Sequence, residues 1–301
     1  MAGLLDNFRG MQREGSMGWK RDREIRGRNA LHIVPWFVLL VAGLGVRGSD
    51  HAAVARSAAI HRVVGTAGQV PVYTAQVVHT YPHDPQAFTQ GLEYYNGFLY
   101  ESTGERGQSS LRKVALESGR VLQKTDLGSQ YFGEGLTIFH GKIYQLTWLS
   151  QVGFVYDLRS FKKLDEFHYY GEGWGLAHDG SNLILSDGTN KLRFLDPQSF
   201  AVVRTVDVYA EGKAVTKLNE LEFINGEIYA NIWHERRIAR IDPASGAVKA
   251  WIDCSAIAAQ EEKEPEGVLN GIAFDGARKR LFITGKHWEN VFEIRVEGLS
   301  F

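Results

Sequence analysis

Cysteine is almost absent from this sequence: Cys254 is the single one among 301 residues. No intrachain disulfide can form, so the fold must be held by its core. With no His/Asn pattern to accompany it, a lone cysteine reads as a small buried hydrophobe rather than a nucleophile. Net charge is nearly absent as well, at −1. That removes the global field that would argue for nucleic acid or an anionic lipid surface as a partner. Proline is scarce, with 7 residues against 33 glycines, the balance of a chain with many tight turns. The histidines, among them His79, His83, His140, His168, His178, His234 and His287, are scattered, and no metal site is expected from them. No phosphate-cradling glycine loop of the dinucleotide or P-loop kind is found, so no cofactor is expected either. The aromatic share, 12%, is high, which suits sheets and the walls of ligand sites.

The first 60 residues differ from the rest. Arg9, Arg13, Lys20, Arg21, Arg23, Arg26 and Arg28 precede an apolar run from Leu31 to Val46, and Ala53-Val54-Ala55 follows it. The run is short for a membrane span of about 20 residues and suits the apolar core of an export signal. Two readings stand: a cleaved signal with a long basic region, or an uncleaved anchor formed by residues 31–46. In both the basic side stays cytoplasmic, and the rest of the chain is extracytoplasmic, periplasmic or secreted. The membrane is met only through this segment. The expected organisation is therefore an export signal or anchor plus linker over 1–60 and one catalytic domain over 61–301.

An internal repeat sets the architecture. Gln90-Gly-Leu-Glu-Tyr-Tyr-Asn-Gly-Phe-Leu-Tyr100 recurs as Glu134-Gly-Leu-Thr-Ile-Phe-His-Gly-Lys-Ile-Tyr144, again after Trp174, again as Asn219-Glu-Leu-Glu-Phe-Ile-Asn-Gly-Glu-Ile-Tyr229, and from Asn270. The anchoring apolar residues Leu92, Leu136, Leu176, Leu221 and Ile272 are spaced by 44, 40, 45 and 51 residues. This is the period of a four-stranded propeller blade. Each copy reads as strand, glycine turn, strand, and Asp-Pro or Ser-Gly pairs mark the later hairpins. The fifth copy ends one strand short, and Tyr73–Tyr81 has strand character with no blade of its own. The expectation is an all-β, five-bladed β-propeller with four antiparallel strands per blade, its ring closed by this N-terminal strand so that no edge is left open.

The first strand of each blade lines a propeller's channel, so equivalent positions converge. Two residues before the anchors stand Gln90, Glu134, Trp174, Asn219 and Asn270; four before stand Phe88 and Phe132; beyond the second strands stand Trp148, Trp233 and Lys286. A packed core would prefer aliphatic residues at such positions. Taken singly, each could be structural, with amides satisfying neighbouring backbone and tryptophans filling core. Taken together they describe a pocket in which one carboxylate, Glu134, sits among rings that raise its proton affinity. Lys286 and Asn219 could stabilise developing negative charge. The segment Gln260–Glu266 reads as a solvated, charged connection.

The segments Tyr81-Pro-His-Asp-Pro-Gln-Ala-Phe-Thr-Gln-Gly-Leu92, Tyr131-Phe-Gly-Glu-Gly-Leu136, Gln145-Leu-Thr-Trp148, Gly171-Glu-Gly-Trp-Gly-Leu176, Leu218-Asn-Glu-Leu-Glu222, Asn231-Ile-Trp233 and Asn270-Gly-Ile-Ala273 with Gly285-Lys-His-Trp288 resemble the plant-type glutaminyl-peptide cyclotransferases. The resemblance runs from about Thr74 to Val296. It implies a five-bladed propeller that converts N-terminal glutaminyl residues of peptides to pyroglutamyl with release of ammonia, without a catalytic metal or cofactor. It also implies Glu134 as acid/base, with Asn219 and Lys286 assisting. Phe88, Gln90, Phe132, Trp148, Trp174 and Trp233 then bind substrate. The partner is a peptide or protein with N-terminal Gln, and the enzyme is expected to act as a monomer. The competing expectation is a non-catalytic extracytoplasmic propeller that captures a peptide or sugar on the same aromatic walls.

Overall fold

The structure is a computed structural model, and it describes residues 68–299 and 301. The expected export or anchor segment lies outside the described residues. The described chain is all-β apart from one short helix, α1 (Ser255–Glu261).

Three sheets have four antiparallel strands in chain order. The first comprises β2 (Thr89–Tyr95), β3 (Phe98–Thr103), β4 (Ser110–Ala115) and β5 (Val121–Asp126). The second comprises β6 (Gly133–Phe139), β7 (Lys142–Thr147), β8 (Val152–Asp157) and β9 (Lys163–His168). The third comprises β10 (Leu176–His178), β11 (Leu183–Ser186), β12 (Lys191–Leu195) and β13 (Val202–Asp207). A small hairpin, β14 (Tyr209–Ala210) with β15 (Lys213–Ala214), follows; nothing in the repeat announced it.

The remaining strands form one eight-stranded sheet. β16 (Leu218–Ile224), β17 (Glu227–Ile232), β18 (Arg237–Ile241) and β19 (Val248–Asp253) make one half. β20 (Leu269–Asp275), β21 (Arg280–Gly285) and β22 (Asn290–Val296) make most of the other. The N-terminal strand β1 (Val72–Pro82) joins them. It pairs antiparallel with β22 from Ala75 to Pro82, as the incomplete fifth repeat requires. It also pairs in parallel with β19 over Val72–Thr74, a second seam that strand patterning alone does not reveal. One strand thus covers two edges that would otherwise present unpaired backbone groups.

Local chemistry explains the hairpins. Asn96-Gly97, His140-Gly141 and Asn225-Gly226 each have positive φ at both residues, the requirement of the tight two-residue turn that matches strand twist. Asp157, Asp196 and Asp242 accept backbone N–H bonds from Ser160, Ser199 and Ala244 at 2.7–2.8 Å and so shape the turns into the fourth strands.

In the three four-stranded sheets burial falls from the first strand to the last. Every residue of β6 is buried, whereas β9 is exposed apart from Phe167. The first strands touch one another in succession: β2 beside β6, β6 beside β10, β10 beside β16, β16 beside β20, and β20 beside β2. Apolar clusters lie between neighbouring sheets. Leu146 and Val155 meet Leu176, Leu183 and Leu185, and Ile184 and Phe194 meet Leu221, Ile228 and Ala230. Where first strands approach closely, side chains are excluded: a Cβ on Gly175 would lie 2.0 Å from the Asn219 carbonyl oxygen. The equivalent position in β16 is Glu220, whose carboxylate accepts the backbone N–H groups of Leu92 and Ile272.

The segment Gln260–Glu266 departs from its expected role as a solvated connection. Its start belongs to α1, and the buried Glu261 carboxylate accepts the Glu289 N–H at 2.8 Å and the Asn290 side-chain amide at 2.7 Å. Glu266 is half-buried and close enough to Lys286 for their charges to interact. Cys254 is buried in the core beside Ile252 and Ile257, as a structural cysteine should be, and burial pushes its thiol pKa well up.

Candidate active site

The pocket residues sit where the first strands begin and the second strands end. Gln90, Glu134 and Asn219 lie within β2, β6 and β16, while Phe88, Phe132 and Trp174 stand just before β2, β6 and β10. Trp148, Trp233 and Lys286 follow the last residues of β7, β17 and β21. The pairing shifts register at one equivalent place in four first strands: between Thr89 and Gly91, Gly133 and Leu136, Leu218 and Leu221, and Leu269 and Ile272. Gln90, Glu134, Asn219 and Asn270 each fall within one of these irregularities. A bulge breaks the two-residue alternation and re-aims the side chain it carries. That is why polar groups occupy strands that are otherwise apolar.

Glu134 is the centre of the polar set. It is 4% exposed and receives one hydrogen bond, from the Gln90 amide at 3.1 Å. Gln90 is oriented in turn by Asn270, which donates to the Gln90 side-chain oxygen at 3.2 Å and to the Thr89 carbonyl at 2.9 Å. With its oxygen so engaged, Gln90 can only offer N–H to Glu134. Burial raises the Glu134 pKa well above the carboxylate range; Lys286 opposes the shift and Glu172 adds to it. Burial likewise pushes the Lys286 ammonium below its ordinary value, while Glu134 and Glu266 pull it back up. The Asn219 amide is buried, and its oxygen has no partner within the described residues.

The rings form a wall around this set. Trp233 meets Trp174 edge to face at 5.5 Å, Trp148 meets Phe132 at 5.9 Å, and Phe132 meets Phe88 at 5.9 Å. The Lys286 ammonium lies 4.6 Å from the Phe88 ring centroid, a cation–π distance. Trp148, Trp174, Trp233 and Phe132 are only half-buried, so solvent reaches the wall.

Rigid supports hold the wall. The loop before β2 is fixed by His83, which bonds the Trp288 carbonyl at 2.8 Å and the buried Glu101 carboxylate at 2.9 Å. Thr89 donates to the same Glu101 oxygen at 2.7 Å. Burial alone would lower the His83 pKa, but the Glu101 charge and hydrogen bond outweigh it and raise it. Ser186 accepts the Gly175 N–H at 2.8 Å and donates to the Asn219 carbonyl at 2.7 Å, tying the third sheet to β16. Tyr169 donates its hydroxyl to the Thr147 carbonyl and seats the end of β7 before Trp148.

All nine residues expected at the site are therefore gathered at one end of the first strands. Two contributors were not assigned a place there. Asn270 shared the equivalent repeat position but no role; its work is to turn Gln90. Glu172 lay unremarked inside Gly171-Glu-Gly-Trp-Gly-Leu176, and its carboxylate accepts the indole N–H of Trp148 at 2.7 Å and of Trp174 at 2.9 Å.

Known proteins resemble this chain in sequence and in overall structure. The family model for glutamine cyclotransferase matches residues 50–296. A glutaminyl-peptide cyclotransferase from Arabidopsis thaliana is 45% identical over 230 residues, covering 75% of this chain and 72% of the relative. The crystal structure of Myxococcus xanthus glutaminyl cyclase superposes with a TM-score of 0.72 at 41% identity, covering 76% of this chain and 98% of that one.

Proposed function

The chain belongs to the glutamine cyclotransferase family, and from that premise we propose how it converts an N-terminal glutaminyl residue into a pyroglutamyl residue with release of ammonia. One observation carries the mechanism: a single buried carboxylate, Glu134, faces a solvent-open aromatic pocket with an oriented amide, Gln90, and an ammonium, Lys286, beside it.

The substrate's neutral α-amine attacks the δ-carbon of its own side-chain amide. A C–N bond forms, the carbonyl π electrons move to oxygen, and a tetrahedral intermediate results. The attacking nitrogen then loses a proton to the Glu134 carboxylate. Glu134 returns that proton to the side-chain nitrogen, the C–N bond to it breaks, ammonia leaves, and the carbonyl reforms as a lactam. No atom is consumed beyond the substrate's own. Acid and base duties fall on one group whose proton affinity burial raises well above that of an ordinary carboxylate, which suits a proton that is taken and given back. Lys286 and the Asn219 amide stabilise the oxyanion. The rings of Phe88, Phe132, Trp148, Trp174 and Trp233 fold the glutaminyl chain back on itself. That lowers the entropic cost of ring closure.

The scaffold is a five-bladed propeller whose ring is closed by β1. Support comes from the repeat period, the five groups of strands, the succession of contacts between first strands, and the apolar clusters between neighbouring sheets. Delivery out of the cytoplasm by the segment around residues 31–46, and action as a monomer, complete the proposal. A fusion of residues 1–60 to a reporter active only outside the cytoplasm checks the first; sedimentation of the purified protein checks the second.

A peptide carrying ¹⁵N in the side-chain amide of an N-terminal Gln tests the chemistry. All the label should emerge as ammonia, and the product should keep its backbone nitrogen. Label retained in the product would refute this route of ring closure, and binding with no conversion above the uncatalysed rate would leave a capture site in place of the mechanism.

A further inference from the structure

The aromatic wall has one interruption. Edge contacts link Trp233 to Trp174, and Trp148 through Phe132 to Phe88, but no ring contact joins Trp174 to Trp148. The Glu172 carboxylate occupies this interval. One of its oxygens, Oε2, accepts both indole N–H groups, at 2.7 Å from Trp148 and 2.9 Å from Trp174. The two tryptophans arrive from different sheets, one past the end of β7 and one before β10. Any carbonyl-type oxygen has the lone pairs to take both donors; a carboxylate oxygen makes both bonds charge-assisted.

Glu172 is itself held. Arg193 donates to the Glu172 carbonyl at 3.2 Å, to the Tyr170 carbonyl, and to the Asp187 carboxylate at 3.1 Å. The Gly173 N–H donates to the Trp148 carbonyl at 3.1 Å, which binds the loop carrying Glu172 to the loop carrying Trp148. The glycines on both sides are required. Gly171 has φ +86°, and a Cβ on Gly173 would meet the Tyr169 hydroxyl at 2.5 Å. The segment is thus built to aim one carboxylate at two rings.

We propose that Glu172 is a positioning residue of the cyclisation, locking Trp148 and Trp174 together as one rigid face of the substrate pocket. This rests on the site described above. An unheld indole can turn about its side-chain torsions, and a misplacement of about 1 Å at a positioning group can cost on the order of 100-fold in rate. Glu172 also places a second negative charge near Glu134 and favours its protonated form. The charged groups acting on Glu134 are then Lys286 and Glu172, with opposite signs.

The test compares Glu172→Ala and Glu172→Gln with the wild-type enzyme, and with Glu134→Gln alongside. Glu172→Ala removes both acceptor and charge, whereas Glu172→Gln keeps an acceptor oxygen. The expected result for Glu172→Ala is a fall in kcat/KM of about 10- to 100-fold, carried mainly by KM. The indole N–H resonances of Trp148 and Trp174, assigned by single Trp→Phe substitutions, should shift and exchange faster with solvent. Glu172→Gln should restore most of the KM and most of the indole protection. If both resonances stay in place in Glu172→Ala and kcat/KM remains within twofold of wild type, the positioning role is refuted. Should Glu172→Ala lose its fold, Glu172→Asp, whose carboxylate is drawn back by one methylene, takes its place: shifted indole resonances with a raised KM support the role, and wild-type resonances and KM refute it. An active Glu134→Gln enzyme would instead refute the underlying site, whatever Glu172 does.

Discussion

Replacing Lys286 by Met should move the acid limb of the pH–rate profile upward. Lys286 opposes the burial-driven rise of the Glu134 pKa, so removing its charge lets that pKa climb further. The two groups sense each other without forming a direct ion pair, which places them beyond 4.0 Å. At an effective dielectric constant near 20, a unit charge beyond about 4 Å is worth at most about 4 kcal/mol. Solvent at the pocket mouth screens part of this, so the shift is upward and smaller than that bound. Glu134 acts first as a base, so a higher pKa means less of the active form at a given pH. The assay is kcat/KM against pH for a peptide with N-terminal Gln. The substrate's own α-amine, with a pKa of about 7.7, contributes a limb that is common to both enzymes and does not move. The enzyme's limb should shift upward in the Lys286→Met variant, whatever the variant's absolute rate. A limb that stays fixed or moves downward would refute the electrostatic coupling between Lys286 and Glu134.

Three further outcomes are expected. Glu134→Gln should be more stable than wild type at high pH and gain little at low pH: a carboxylate with a raised folded pKa adds stability fully only below its unfolded pKa and loses it as pH rises through the folded one. Thermal melts at pH 4 and pH 8 check this, each unit of elevation corresponding to about 1.4 kcal/mol at the alkaline end; equal melting differences at both pH values would contradict it. Asn270→Ala should free Gln90 to rotate, lowering kcat/KM about 10-fold and stability by about 1–2 kcal/mol, since Thr89 loses a buried partner; an unchanged kcat/KM would remove Asn270 from the orienting chain. Deleting residues 72–82 should expose the edges of β19 and β22 together and yield aggregated protein, as light scattering would register, whereas a monodisperse, folded product would show that β1 is dispensable.

Much of the site was legible in the sequence because repetition converts sequence position into spatial position. Once Leu92, Leu136, Leu176, Leu221 and Ile272 were recognised as equivalent, the residues at fixed offsets from them had to converge. Gln90, Glu134, Trp174 and Asn219 did so. The same periodicity announced the hairpins, through Asn96-Gly97 and its counterparts, and the unpaired strand that β1 supplies. The second, parallel pairing of β1 with β19 has no such signature, because three residues of extended backbone can pair on either side. The register irregularities around Gln90, Glu134, Asn219 and Asn270 were visible only indirectly, as polar residues in apolar strands. Glu172 escaped because it belongs to a loop outside the repeat offsets, and its importance lies in two hydrogen bonds rather than in a pattern. Glu261 and Glu266 depart from a solvated connection for a related reason: a run of charged residues gives no sign of which carboxylates turn inward, Glu261 to accept N–H groups from a distant loop and Glu266 to interact with the Lys286 charge.

The most direct measurement is the rate of ammonia release from a peptide with N-terminal Gln by wild-type protein and by Glu134→Gln, both verified as folded by circular dichroism. A catalytic Glu134 predicts conversion by the wild type well above the uncatalysed rate, and a loss of at least about 100-fold in the variant, the scale of general acid–base catalysis. A Glu134→Gln enzyme that keeps more than a small fraction of the wild-type rate would show that the proton passes through some other group.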